Sequence, residues 1–254
     1  MKLRRLFVLA ALGSALLGSS TTSEAGLLSF GNNAAGFNAQ VAGDSLPLLG
    51  TEDFESSTLA SNSIQVFDDS LTPGVANSVF PGGTNPALGM TVQSNTLGAS
   101  PSSTSPRGSS GLVTASAGYL STPSDQISNN SPGDSFDLVF SPAVKAVGLS
   151  PLFFAQAPTT PTSDPGTIEF EVFSSANVSL GTFSLASVDF SQTDFMGIVA
   201  TGSDNIGRIN LYAVGDLYAG ADDIRAYAAV PEPSTFVTAA LGLLGLGCIA
   251  RRRK

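Results

Sequence analysis

The chain has 254 residues, a net charge of −9 and only 12% charged residues, about half the share found in an average soluble domain. With 42% apolar residues it can bury a sizeable core, while 27 Gly, 15 Pro and abundant Ser and Thr disfavour a helix-rich interior, so an all-β fold is expected. The absence of His removes Ser-His-Asp and Cys-His nucleophilic sites, His-ligated zinc and imidazole acid–base chemistry, and the single cysteine, Cys248, rules out an intramolecular disulfide.

Lys2, Arg4 and Arg5 open the chain, an apolar run follows from Leu6 to Leu17, and small residues lead to Ser23-Glu24-Ala25. That run is too short for a bilayer core of about 30 Å, and it ends in side chains that a signal peptidase pocket admits. Residues 1–25 therefore read as a secretory signal peptide cut after Ala25. Leu3 stands where a twin-arginine signal has Ser or Thr, so export of the unfolded chain is favoured.

At the other end Pro231-Glu232-Pro233 leads into a Gly- and Leu-rich apolar run, Thr235 to Ala250, and the chain closes on Arg251-Arg252-Arg253-Lys254. Sixteen helical residues reach about 24 Å, workable for a span with tilt or local thinning. The terminal cations stay cytoplasmic by the positive-inside rule, which holds everything before Pro231 outside the inner membrane. These three parts in order resemble the C-terminal sorting signal of PEP-CTERM proteins, over residues 231–254. The resemblance implies recognition by an exosortase in the inner membrane, cleavage near Pro-Glu-Pro, only transient membrane anchoring, and transfer toward the cell surface and its exopolysaccharide in a Gram-negative-type bacterium. The plainer alternative is a tail anchor on a Pro-rich stalk.

Residues 26–230 carry 18 acidic side chains against four basic ones (Arg107, Lys145, Arg208, Arg225), a net of −14. Nucleic acid and anionic membrane surfaces are poor partners for such a domain; divalent cations and neutral polymers suit it better. The first third shows little periodicity beyond Leu46 to Phe54 and Ser63 to Phe67. Ser94 to Ser135 reads as Ser/Thr/Gly/Pro-rich loop interrupted by Gly111 to Leu120. From Ser135 the pattern sharpens into β-rich runs: 136–140, 144–149, 167–173, 178–185, 195–200, 206–214 and 224–230. Turn signals separate them, as in a β-sandwich. In Thr167 to Phe173 the period of two sends Ile168, Phe170 and Val172 to the core and Glu169 and Glu171 to a solvent-exposed face.

Asp53-Phe54-Glu55, the stretch Phe140 to Gly148, Phe195-Met196-Gly197-Ile198 and Asp222-Asp223-Ile224 resemble recurring strands of the sandwich in many PEP-CTERM surface proteins. That resemblance implies a jelly-roll-like antiparallel β-sandwich akin to galactose-binding-like carbohydrate modules, with its first and last strands side by side. Such neighbours would bring Asp53 and Glu55 to Asp222 and Asp223, a donor set suited to calcium, which takes six to eight oxygens and needs neither His nor Cys. The alternative is that these acids are solvated strand ends. Glu169 and Glu171 share a strand face as a glycosidase pair would, yet a wetted sheet face explains them fully. Asp68-Asp69 and Asp204-Asn205 read as turn chemistry. With Trp absent, Tyr119, Tyr212, Tyr218 and Tyr227 are the available sugar platforms, Tyr218 and Tyr227 flanking the Asp222-Asp223 pair; half-buried strand tyrosines are the commoner case. The resulting expectation is an exported, non-enzymatic surface or matrix protein associated with exopolysaccharide. A carbohydrate-binding module with a defined glycan is the alternative, and a secreted hydrolase a more distant one.

Overall fold

A computed structural model of the chain describes residues 26–67, 70–94, 112–117, 124–129, 134–154, 166–188, 192–214 and 218–229. The expected signal peptide and the sorting segment lie outside them, as do Asp68-Asp69 and Tyr119. The strands are β1 (Gly26–Gly31), β2 (Leu48–Glu52), β3 (Ile64–Phe67), β4 (Ser70–Leu71), β5 (Met90–Ser94), β6 (Leu112–Ala115) and β7 (Gln126–Asn129) in the first half. The second half adds β8 (Ser135–Val144), β9 (Ala146–Phe154), β10 (Gly166–Phe173), β11 (Ser179–Val188), β12 (Met196–Thr201), β13 (Ile206–Ala213) and β14 (Tyr218–Tyr227). One helix, α1 (Ala34–Gly43), follows β1.

The strands form a β-sandwich of two antiparallel sheets. The eight-stranded sheet runs β1-β12-β9-β14-β7-β6-β3 with β2 also paired to β14, and the six-stranded sheet runs β11-β10-β13-β8-β5-β4. Alternation decides which side chains meet between them. Ile168, Phe170 and Val172 of β10, Ile209 and Leu211 of β13, Phe136 and Leu138 of β8 and Met196 and Ile198 of β12 all join one buried apolar cluster. Burial of such a side chain stabilises the fold by about 1.5–3 kcal/mol.

The second-half strands overlap the expected runs, although β14 begins six residues before its run and β9 ends five residues after its own. The first half departs from expectation: β1, α1, β5 and β7 occupy stretches that read as loop, and Asp53 and Glu55 sit not on a strand but in the turn after β2. Asn33 caps α1, its side-chain oxygen accepting from Gly36 N at 2.9 Å. Phe37 and Val41, one turn apart, face the sheet. They land on its outer face over Gly148 and Gly197, which are paired across β9 and β12. A Cβ on Gly197 would lie 2.4 Å from Cδ2 of Phe37, and one on Gly148 2.9 Å from its Cε1, so the glycine pair is the slot that lets the ring seat. Phe30, Phe195 and Tyr227 surround that ring with centroids 5.4–6.0 Å away.

Candidate functional site

The strand adjacency expected for the acidic residues holds for β2 and β14, while β1 lies far off beside β12. Along one edge β14 pairs first with β7 (Gly220↔Ser128, Ala221↔Ile127) and then with β2 (Ile224↔Glu52 onward). Asp222 and Asp223 fall at this change of partner, where the pairing with β9 also bulges and Asp223 takes a left-handed φ of 50°.

Asp222 and the acids at the β2 end, Glu52, Asp53 and Glu55, accept hydrogen bonds from N–H or O–H donors. Asp222 is buried; its Oδ1 accepts from Asp223 N at 2.7 Å, and its Oδ2 from Ser124 Oγ at 2.5 Å and Gln192 Nε2 at 3.3 Å. Burial first, with the Asp223 and Glu55 charges adding to it, pushes the Asp222 carboxyl up to about 7 against the two hydrogen bonds that oppose the rise. Glu55 accepts from Asp125 N at 3.0 Å, and Asp53, exposed, accepts from Glu55 N at 3.2 Å. Between Asp53 and Glu55, Phe54 turns inward and is fully buried at a positive φ of 55°. Glu52 is buried as well, accepting from Phe54 N at 3.1 Å and Asn85 N at 2.5 Å, and its desolvation raises its pKa. Among the described residues no three His, Cys, Asp or Glu are gathered to hold a metal ion. With oxygens engaged by donors rather than converging on a shared point, this set does not fit calcium as it stands.

The outer face of the six-stranded sheet holds what the sequence reading missed. Glu169 and Glu171 do leave the core, but the face is not a wetted one: Glu171 is 2% exposed and Asp137 and Asn210 are fully buried. Register sets Glu171, Asn210, Asp137 and Gln93 in one row across four strands, and Phe173, Arg208 and Val139 in the next. Arg208 stacks its guanidinium 3.7 Å above the Phe173 ring. Its Nη1 donates to Asp137 Oδ1 at 3.0 Å, while Nε and Nη2 donate to Asn177 Oδ1 at 3.1 and 2.8 Å. Asn210 Nδ2 donates to the same Asp137 oxygen at 2.7 Å and to Ser135 Oγ at 3.0 Å. Burial drives the Asp137 pKa up, and Arg208, Asn210 and Gln93 pull it back. Asn210 Oδ1 is buried without a partner. Beside this network lies a groove of about 600 Å³ lined by Gln93, Phe140, Ser141, Ser174, Asn177 and Arg208. A signal was present in the sequence: polar residues at alternate positions in three neighbouring runs, including one of the domain's four cations.

Among the described residues Tyr212, Tyr218 and Tyr227 make no rim platform, and Tyr119 lies outside them. Tyr218 packs against Val113 and Ala115, Tyr227 is 9% exposed in the cluster under α1, and the Tyr212 hydroxyl donates to Glu169.

Residues 229–254 match the PEP-CTERM protein-sorting motif. The chain carries a PEP-CTERM protein-sorting motif. The motif indicates an exported protein, processed by exosortase and sorted toward the cell envelope. No curated protein matches this chain in sequence. Among solved structures it is similar to TmCBM61 in complex with β-1,4-galactotriose, at 10% identity over 55% of this chain and 88% of the other, TM-score 0.31. It is also similar to the CBM22-1-CBM22-2 tandem domain of Paenibacillus barcinonensis Xyn10C, at 11% identity over 73% and 48%, TM-score 0.29. A third is a point mutant of CBM29-2, a family 29 carbohydrate-binding module, at 11% over 67% and 99%, TM-score 0.28. These are distant likenesses of β-sandwiches. β14 ends at Tyr227, two residues before the motif begins, and Ala228 N still donates to Pro47 O at 3.0 Å. All the described strands thus end before Pro231-Glu232-Pro233.

Proposed function

We propose that the mature domain, freed of its signal peptide by signal peptidase and of its tail by exosortase, works without catalysis. Its place is the cell surface or extracellular matrix, in association with exopolysaccharide. The observation that carries the reading is the sorting motif at residues 229–254; an acidic domain with a net of −14 over residues 26–230 suits a neutral polymer better than an anionic one. The test is fractionation of cells expressing the wild type and Glu232→Ala. The variant is expected to accumulate uncut in the inner membrane while the wild type reaches the polysaccharide fraction; equal release of both would overturn the sorting part. Wild-type protein that washes freely from the polysaccharide would overturn the association.

A second reading, a carbohydrate-binding module with a defined glycan, is supported by the groove beside Arg208. Its side-chain amides Gln93 and Asn177 and its hydroxyls Ser141 and Ser174 match the donors and acceptors of sugar hydroxyls. Affinity electrophoresis against purified neutral polysaccharides tests it: retardation by one polymer, lost in Gln93→Ala, supports a defined ligand, and uniform mobility across all of them removes it. Release of reducing sugar from any of these polymers would instead favour the hydrolase reading.

A further inference from the structure

Every open sheet has two edge strands whose outward N–H and C=O groups seek partners, and proteins blunt such edges with short strands, charges, prolines or bulges. At one side of this sandwich the edges are β3 and β4. They are four and two residues long, and the link between them in sequence is Asp68-Asp69. At the other side the edges are β1 and β11, of six and ten residues, and neither Gly26–Gly31 nor Ser179–Val188 contains a charge or a proline. The two lie against each other. Leu185 of β11 reaches 3.1 Å from where a Gly31 Cβ would stand, and Leu27 of β1 reaches 3.6 Å from the equivalent point on Gly181. Leu27, Leu180 and Phe183 are only partly buried against the core, Leu28 is 40% exposed, and Thr182, Ser184 and Ala186 are exposed. Among the described residues neither strand has a partner on its outer side.

We propose that the β1/β11 edge is an assembly surface and that its occupant is a second copy of this chain, β11 pairing antiparallel with β11 about a two-fold axis. Three observations favour a second copy. The middle of β11, Gly181 to Leu185, is in unbroken register with Val172 to Ile168, the irregularities falling on either side of it, so a regular five-residue stretch is offered for pairing. An isologous pairing needs a self-complementary patch, and an uncharged strand facing itself has no like charges to oppose. In a domain with a net of −14 copies repel over most of their surface, and this uncharged edge is where they meet without that penalty. The two six-stranded sheets then form one continuous sheet. The inference goes beyond the sorting and polysaccharide readings and does not depend on them.

The experiment is sedimentation equilibrium of the exported, processed protein, compared with Thr182→Glu/Ser184→Glu and with Gln65→Glu on the opposite edge. Wild type and Gln65→Glu are expected to form dimers that tighten as salt is raised from about 0.01 M to about 0.15 M, because screening weakens the repulsion. The double variant should weaken the dimer at least about tenfold, which is about 1.4 kcal/mol. Amide exchange guards against a variant that fails to fold: in wild-type protein, exchange at Ser179–Val188 should slow as concentration rises while that at Ile64–Phe67 stays fixed. A wild type that remains monomeric at all concentrations overturns the proposal. So does a dimer that the double variant leaves intact, or a dimer whose β11 amides exchange as fast as the monomer's.

Discussion

Each sheet buries an aspartate, and the two are neutralised in opposite ways. In the six-stranded sheet Asp137 is fully buried and held by the Arg208 guanidinium and Asn210. In the eight-stranded sheet Asp222 is buried at the β14 bulge with Ser124, Gln192 and its own following amide, no cation among its hydrogen-bond partners, and its pKa stands near 7. The outer faces differ in the same sense. The eight-stranded sheet gives its face to Phe37 of α1, whereas the six-stranded sheet keeps a polar row and a groove. The first face is closed by apolar packing, and the second carries buried polar side chains beside an open groove.

Breaking the apolar seal should have the largest effect. Phe37 is 1% exposed and touches rings on three sides, so Phe37→Ala should cost about 3–5 kcal/mol. Gly197→Ala, by pushing a methyl into the ring, should cost about 1–3 kcal/mol. Urea denaturation followed by circular dichroism measures both. If Phe37→Ala costs under about 1 kcal/mol, α1 is not the seal described here.

Breaking the charge pair comes next. Arg208→Met keeps much of the stacking on Phe173 but leaves Asp137 buried without its cation, which should cost about 3 kcal/mol. Adding Asp137→Asn should recover more than half of that loss, because the stranded charge goes with it. A double variant no more stable than Arg208→Met would mean that packing on Phe173, not charge, is what Arg208 supplies.

How much of this was legible in the sequence depends on how local each signal is. The second-half strands alternate with a period of two between turn signals, and β8 to β13 lie near the expected runs, while β14 begins six residues before its own. In the first half, β5 and β7 are short strands in Ser- and Thr-rich surroundings whose stability comes from partners distant in sequence, β8 and β14. α1 has only two inward side chains in an Ala- and Gly-rich decapeptide, and its docking depends on a glycine pair more than a hundred residues away. The same limit hid the Arg208 network. Asp137, Arg208 and Asn210 each look like ordinary outward residues of a half-buried strand, and only the strand order β10-β13-β8-β5 sets them in rows. Asp222 and Asp223 were legible as a pair and as neighbours of the β2 end. Which oxygens would be free was not, because the donors come from Ser124 and Gln192 in other segments.

Sharpening the comparison on the side of Asp222 calls for pH. Its native pKa near 7 lies above the ordinary 3.8, so the folded state holds a proton that the unfolded state releases between those values. This group therefore favours the fold fully below pH 4, and that contribution is lost as pH rises through 7. At about 1.36 kcal/mol per unit the full loss is a little over 4 kcal/mol, and about 2 is expected once relaxation of the site is allowed for. Glu52 and Asp137 are raised in the same direction. The melting temperature should thus rise as pH falls from 8 to 5, and Asp222→Asn, which mimics the protonated form, should flatten that slope and be the more stable protein at pH 8. An unchanged slope in the variant would place the proton elsewhere.

The smallest expected effect belongs to calcium, and it bears directly on why Asp222 needs a proton. A cation bound between Asp53, Glu55, Asp222 and Asp223 would lower the Asp222 pKa, remove the pH slope and stabilise the fold by about 2.7 kcal/mol at a hundredfold excess over Kd. The geometry opposes this, since Asp53 Oδ1, Glu55 Oε1 and both Asp222 oxygens already accept hydrogen bonds. A cation would have to displace those donors and turn Asp53 away from the amide that it caps. Melting curves of the exported protein at pH 8, with chelator and with millimolar calcium, should therefore coincide. A calcium-dependent rise that Asp223→Ala abolishes would reverse the assignment: the eight-stranded sheet would then neutralise its buried acid with a cation, as the six-stranded sheet does with Arg208.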